Sequence, residues 1–272
     1  MFIVLQMERS LRQGVLGRLA DRLMRTKIIH KNHEVMGGGY KLLQWQSGSR
    51  PNWEQLEAAC SRYRNRVLFP EGLILPEALK IETPLLPNFK RAVLVNTACE
   101  IATRSRLPLY RRVLGLIDEN GSMVDELPLL LRYYSCIMVA SRATKLYAIA
   151  GARIMHELGA PVLVGCEPKG LGECMLVISE GSLKSEKLRA PLLCPGSAVG
   201  SSLCIGSLEI TPPEDVSAAC PEDISLQDFA GSLYEFSAVR DYNLVANQML
   251  CNYRLANLTE VVRAVCDHEN RR

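Results

Sequence analysis

The apolar residues of the chain change period several times between its ends, and those changes outline its elements. The clearest stretch is central. Val113–Ile117 is a continuous apolar run that stops at Asp118-Glu119-Asn120-Gly121; Cys136–Ala140 is a second run and Val162–Gly165 a third. Each is too short for a helix and apolar on both faces, the pattern of strands buried in a parallel sheet. Between them, Met123–Tyr134 fits a helix with Pro128 in its first turn, where a missing N–H leaves nothing unpaired. After Ser141, a good N-cap, Ala143, Tyr147, Ala150, Ile154 and Leu158 recur at helical intervals, and Gly159 stands where a C-terminal cap is expected. A parallel β-α-β-α-β unit over Val113–Gly165 follows. It predicts an α/β fold: a Rossmann-like three-layer core with a mostly parallel sheet.

The flanks read differently. Phe2–Gln6 has the pattern of a strand, and Arg9–Arg25 that of an amphipathic helix with Leu11, Val15, Leu19 and Leu23 in one stripe, suited to a core or homodimer contact. Lys27–His30 and Tyr40–Gln46 predict a hairpin turned by Gly37-Gly38-Gly39. Ser47–Pro51 is a strong break. Asn52 caps a helix to about Arg64, Arg66–Phe69 is a short strand, Leu73–Pro87 an extended crossing, and Asn88 opens a helix to about Ser105. Beyond the centre, Met175–Ile178 reads as a strand, Ala190–Ser202 as a Pro/Gly/Ser loop and Leu203–Ile210 as an edge strand. Ser225 caps a helix to about Val239, and the remainder to Cys266 reads as helical. These breaks predict an α+β module over 1–50, the core over 51–210 and a helical extension over 211–272 packed on that core.

Composition narrows the partners. Hydrophobic residues make up 48% of the 272 residues and charged residues 22%, the balance of a chain that folds. A net charge of +3 and 6% aromatics argue against nucleic acid as partner, and no apolar run reaches the length of a membrane span. Met1–Met7 lacks a basic region and is cut by Glu8 and Arg9, which points away from a signal peptide. Ten cysteines are scattered without a C-x-x-C pair, so free thiols in a cytoplasmic setting are expected rather than a disulfide framework. His30 and His33 have no third ligand at metal-site spacing, and no metal is predicted.

In open parallel sheets, ligands bind outside the carboxyl ends of the strands. Here those ends supply Asp118, Asn120 and Gly121 after the first strand, Ser141 and Thr144 after the second, and Gly165, Lys169 and Gly170 after the third. They predict a site for a small-molecule or phosphate-bearing ligand, with no cofactor specified. No G-x-G-x-x-G follows any strand, and Gly165…Gly170 lacks the Lys-Ser/Thr of a phosphate-binding P-loop. The run Val113–Ser122, with Asp118 at the end of a strand, resembles the first motif of haloacid-dehalogenase-like phosphatases, and Ile137–Ser141 resembles their second. That resemblance implies Asp118 as nucleophile and Lys145 or Lys169 as the neutralising lysine; Asn120 stands where the family has its second Asp. The readings are thus a ligand-binding or regulatory protein, a non-catalytic interaction protein or, as the resemblance implies, a phosphate-ester enzyme acting through Asp118.

Overall fold

A computed structural model describes residues 1–9, 27–47, 52–181, 188–196, 201–237, 239 and 242–271. The helix expected over Arg9–Arg25, the break at Ser47–Pro51 and the middle of the Ala190–Ser202 loop lie largely outside them. The elements run β1 (Ile3–Arg9), β2 (Lys27–Val35), β3 (Gly38–Ser47), α1 (Trp53–Cys60), β4 (Val67–Leu68), α2 (Pro87–Arg104), β5 (Val113–Ile117), α3 (Leu127–Leu130) and β6 (Cys136–Ala140). They continue α4 (Thr144–Leu158), β7 (Val162–Val164), β8 (Leu176–Ser179), β9 (Leu192–Leu193), β10 (Cys204–Glu209), α5 (Glu214–Ala219), α6 (Leu226–Phe236), β11 (Gln248–Cys251), β12 (Arg254–Asn257) and α7 (Leu258–Asn270).

Residues 1–89 and 212–242 form one compact unit. Its sheet has the order β2-β3-β1-β4, with β1 parallel to β3 and β4 and β2 antiparallel to β3. The hairpin turns at Met36-Gly37, where both residues have positive φ, 51° and 77°. Alternation along β1 divides two cores. Phe2 and Val4 pack with Phe229, Ala230 and Leu233 of α6, while Ile3 and Leu5 pack with Trp45, Leu56 and Cys60 from β3 and α1. A strand covered on both faces has to be apolar throughout, which accounts for Phe2-Ile3-Val4-Leu5. Asn52 caps α1 as expected, its side chain accepting from Gln55 N, and Ser225 caps α6 by accepting from Asp228 N.

Residues 90–211 and 243–272 form the second unit. The grouping departs from the division into 1–50, 51–210 and 211–272. β4 pairs with β1 across the Ser47–Pro51 break, and residues 212–242 supply α5 and α6 to the first unit. Strand pairing across a sequence gap outweighs the local break.

The second unit carries an eight-stranded sheet of order β12-β11-β10-β9-β8-β5-β6-β7. From β10 to β7 every pairing is parallel. Read from β5, the chain steps to β6 and β7 on one side, then returns to lay β8, β9 and β10 on the other. That is the 3-2-1-4-5-6 order of a doubly wound Rossmann sheet, with its reversal between β5 and β8. β5 and β8 lie at its centre; Leu176 to Ser179 of β8 are buried, and Gly115 of β5 meets β8 so closely that an added Cβ would stand 2.8 Å from Val177.

Four expectations are corrected here. The helix over Met123–Tyr134 is a 3₁₀ turn, Val124–Glu126, followed by the four-residue α3; Pro128 does lie in its first turn, and the chain closes again at Tyr133 and Tyr134. The strand over Leu203–Ile210 is β10 and sits inside the sheet, because residues 248–257 form a β-hairpin rather than a helix and cover its edge. That hairpin turns on Asn252-Tyr253, both at positive φ, 47° and 66°. Within the Pro/Gly/Ser loop, Leu192 and Leu193 form β9, both wholly buried. Among the described residues no helix is long and apolar enough to cross a membrane, and none of the ten cysteines forms a disulfide.

Candidate functional site

The crevice between the ends of β5 and β8 is where this strand order opens a site. After β5 the chain enters Asp118–Met123. The Asp118 side chain is 5% exposed and turns back onto its own loop. Oδ1 accepts from Asn120 N at 3.1 Å and Oδ2 from Met123 N at 2.9 Å. Tyr147, buried on α4, donates its hydroxyl to Oδ2 at 2.5 Å. Burial alone would raise the Asp118 pKa, but the hydrogen bonds from Tyr147 and from the amides of Met123 and Asn120 outweigh it and hold the carboxyl below its ordinary value. The phenol moves the other way: burial, and then the bond to Asp118, push Tyr147 well above its usual pKa.

Glu180 follows β8 directly. Arg91, one turn into α2, holds Glu180 Oε1 through Nε at 2.5 Å, and the two side chains are 21% and 32% exposed. Ser122 Oγ lies 2.7 Å from Glu180 Oε2 and 3.1 Å from Asp118 Oδ1. A serine hydroxyl has one proton, so with both acids ionised the full hydrogen bond goes to the nearer one, Glu180. Close to the same arginine, Glu126 is partly buried, and its pKa is raised by desolvation despite the charge of Arg91. Asp118, with its pKa lowered, and Glu126, with its pKa raised, both act on the charge of Arg91, the kind of divergence found at functional sites.

The sequence-predicted residues fall along this edge in the order of their strands. Asp118 N donates to Ala140 O and Cys166 N to Val139 O, so the three loops lie side by side. They do not converge on one point. Asn120 contributes its N–H to Asp118, and Gly121 has φ +81° with Ala143 and Leu146 so near that a Cβ would stand 3.1 and 3.0 Å from them. Ser141 is not the cap of α4: its Oγ accepts from Ala143 N at 2.9 Å, and the helix begins at Thr144. Gly165 has φ +83° with open space beside it, while Lys169 and Gly170 are exposed on a 3₁₀ turn, Pro168–Glu173. The reversal lies on the other side of β5, and sequence reasoning missed its residues: Glu180, Arg91 and the Tyr147 contact. Glu180 could have been found, since it ends an apolar run.

The geometry bears on two of the expected chemistries. A nucleophilic Asp118 would need a free oxygen facing substrate; both oxygens are taken by donors, and the group is buried. A dinucleotide pyrophosphate would need free loop amides at the start of a helix. Here the amides of Asn120 and Met123 bind the Asp118 carboxylate, and the helix that follows is the four-residue α3. Among the described residues, no three or more His, Cys, Asp or Glu side chains gather as a metal site.

No family model matches the chain. No curated protein matches it either. Among solved structures it is similar to a Δ1-pyrroline-2-carboxylate reductase of Thermococcus litoralis, solved with NADH and L-proline, at 11% identity over 72% of this chain and 69% of that one, with a TM-score of 0.31. It is also similar to an L-tryptophan dehydrogenase of Nostoc punctiforme, at 12% identity over 86% of this chain and 77% of that one, again with a TM-score of 0.31. Neither likeness assigns a substrate or a cofactor to this chain.

Proposed function

We propose that this protein binds a small polar molecule in the crevice outside the carboxyl ends of β5 and β8, without phosphoryl-transfer chemistry at Asp118. The observation that carries the reading is the reversal of strand order between β5 and β8, with Glu180, Ser122 and Arg91 gathered on its two sides. The ligand presents a hydrogen-bond donor, a hydroxyl or an amine, to Glu180: Arg91 and Ser122 take one lone pair on each of its oxygens, the second on each is left, and the side chain is 32% exposed, whereas the loop amides that would hold a phosphate are already engaged by Asp118. Ten cysteines without a disulfide among them support a reducing compartment for this role. The test is a thermal-shift screen of amines, polyols, amino acids and NADH on wild type and Glu180→Gln. A member of the first three classes is expected to stabilise the wild type and not the variant. Saturable NADH binding that survives in Glu180→Gln, or no stabilising compound among the first three classes, would overturn the reading.

A further inference from the structure

A cleft of about 540 Å³ opens elsewhere on the second unit, and its lining is unlike that of the β5/β8 crevice. It lies where the segment before β11, the end of β12 and the first turns of α7 meet the last turn of α2. Its volume falls in the range that holds small molecules. Two guanidinium groups, Arg104 and Arg263, line it together with Asn243, Asn247, Asn257 and Thr259.

What these groups still offer decides the ligand. Asn243 accepts through Oδ1 from Val245 N, and Asn257 accepts through Oδ1 from Glu260 N, so both retain an unused NH₂. Arg104 uses Nε on Glu100, which leaves its terminal nitrogens. Arg263 makes no hydrogen bond or ion pair among the described residues, and its whole fork of N–H groups is unspent. The acceptors remaining are few. Asn247 gives its NH₂ to Thr211 and keeps one carbonyl oxygen, and Glu260 has one carboxylate oxygen taken by Asn257 N. The spare inventory is therefore rich in donors and cationic where it is strongest. A ligand that completes it brings acceptors and negative charge, and a guanidinium fork matches the planar or tetrahedral oxygens of a carboxylate or phosphate.

We infer that this cleft is a binding site for a small oxyanion, with Arg263 as the residue that grips it and Asn243, Asn257 and Arg104 as supporting donors. It is separate from the β5/β8 site, and either can fail without the other. Inorganic phosphate and succinate serve as probes, titrated into ¹⁵N-labelled full-length protein at low ionic strength. The expected result is saturable shifts at Asn243, Thr259 and Arg263 with at least one probe, and the stronger of the two identifies which oxyanion fits. R263A weakens that binding roughly tenfold or more, and R263K, which keeps charge but loses the fork, falls between. R153A removes the same charge from an exposed position on α4 and leaves binding unchanged. The inference is overturned if neither probe gives saturable shifts at these residues, if R263A binds like the wild type, or if R153A weakens binding as much as R263A does.

Discussion

The hydroxyl of Tyr147 donates to Asp118 Oδ2 at 2.5 Å with both side chains buried, tying the first turn of α4 to the loop that ends β5. The bond does more than fill a lone pair. With the amides of Asn120 and Met123 it gives the carboxylate a complete set of donors, so this loop satisfies itself where a nucleotide-binding sheet would leave its amides for a phosphate. The side of the crevice with lone pairs to spare is then the Glu180 side, where Ser122 and Arg91 take one on each oxygen and the side chain stays 32% exposed.

Tyr147→Phe removes one donor and leaves a buried carboxylate oxygen short of a partner. A loss of about 1–3 kcal/mol is expected in urea unfolding at neutral pH. Because the native Asp118 pKa is below its ordinary value, its contribution is fully present above the unfolded value of about 4 and is lost as pH falls from there through the native value. The stability of the wild type therefore drops on the acid side, and Tyr147→Phe and Asp118→Asn flatten that limb. An acid limb unchanged in both variants would refute the assignment.

Much of the second unit was legible because its centre has no solvent face. β5, β6 and β8 are unbroken apolar runs, and such runs announce themselves without an alignment. The Gly159 cap was equally plain, and it has the expected left-handed φ of 65°. What the chain hides is partnership across distance. Nothing local says that β8 lies on the opposite side of β5 from β6, so the meeting of Glu180 with Ser122 and Arg91 could not be read from spacing. Asp118 was visible as a residue but not in its role, because the direction of one side chain decides between a free nucleophile and a loop cap. The β11–β12 hairpin escaped for a different reason. Its turn lacks the Asn-Gly pair that signals two successive positive φ angles, and its strands are only four residues long.

That turn offers a stabilising substitution. Tyr253 is exposed and held at φ 66°, where a side chain is strained and glycine is not, whereas Asn252 uses its Oδ1 to accept from Cys204 N at 2.9 Å. Tyr253→Gly creates the Asn-Gly sequence suited to this turn and keeps the Asn252 bond. A gain of up to about 1 kcal/mol is expected. Asn252→Ala should go the other way by a similar amount, since it keeps the strain and loses the acceptor. Thermal unfolding of the two variants decides it.

Glycines at two positions test how tightly the sheet is packed. At Gly115 an added Cβ would stand 2.8 Å from Val177, 3.2 Å from Cys174 Sγ and 3.3 Å from Leu171, all three of them buried residues. Gly115→Ala is expected to cost about 1–3 kcal/mol through overpacking between β5 and β8. At Gly170 nothing lies within 4 Å of the added atom and φ is not in the left-handed region. Gly170→Ala should stay within about 0.5 kcal/mol of wild type. Equal effects at the two positions in urea unfolding would contradict this account of the sheet centre.

The thiols provide a readout of the native packing itself. Burial pushes Cys60 and Cys194 up to about 11 and Cys99 up to about 12. Only the thiolate attacks an alkylating agent, so at neutral pH these three carry almost none of the reactive form, and they are also shielded from the reagent. Iodoacetamide followed by peptide mass spectrometry should leave Cys60, Cys99 and Cys194 unmodified in native protein and label all three in urea. Raising the pH toward 9 should change little at these sites, because it remains well below their native values. Labelling of Cys99 at pH 7 as fast as in the unfolded chain would mean that this position of α2 is not buried in the native protein.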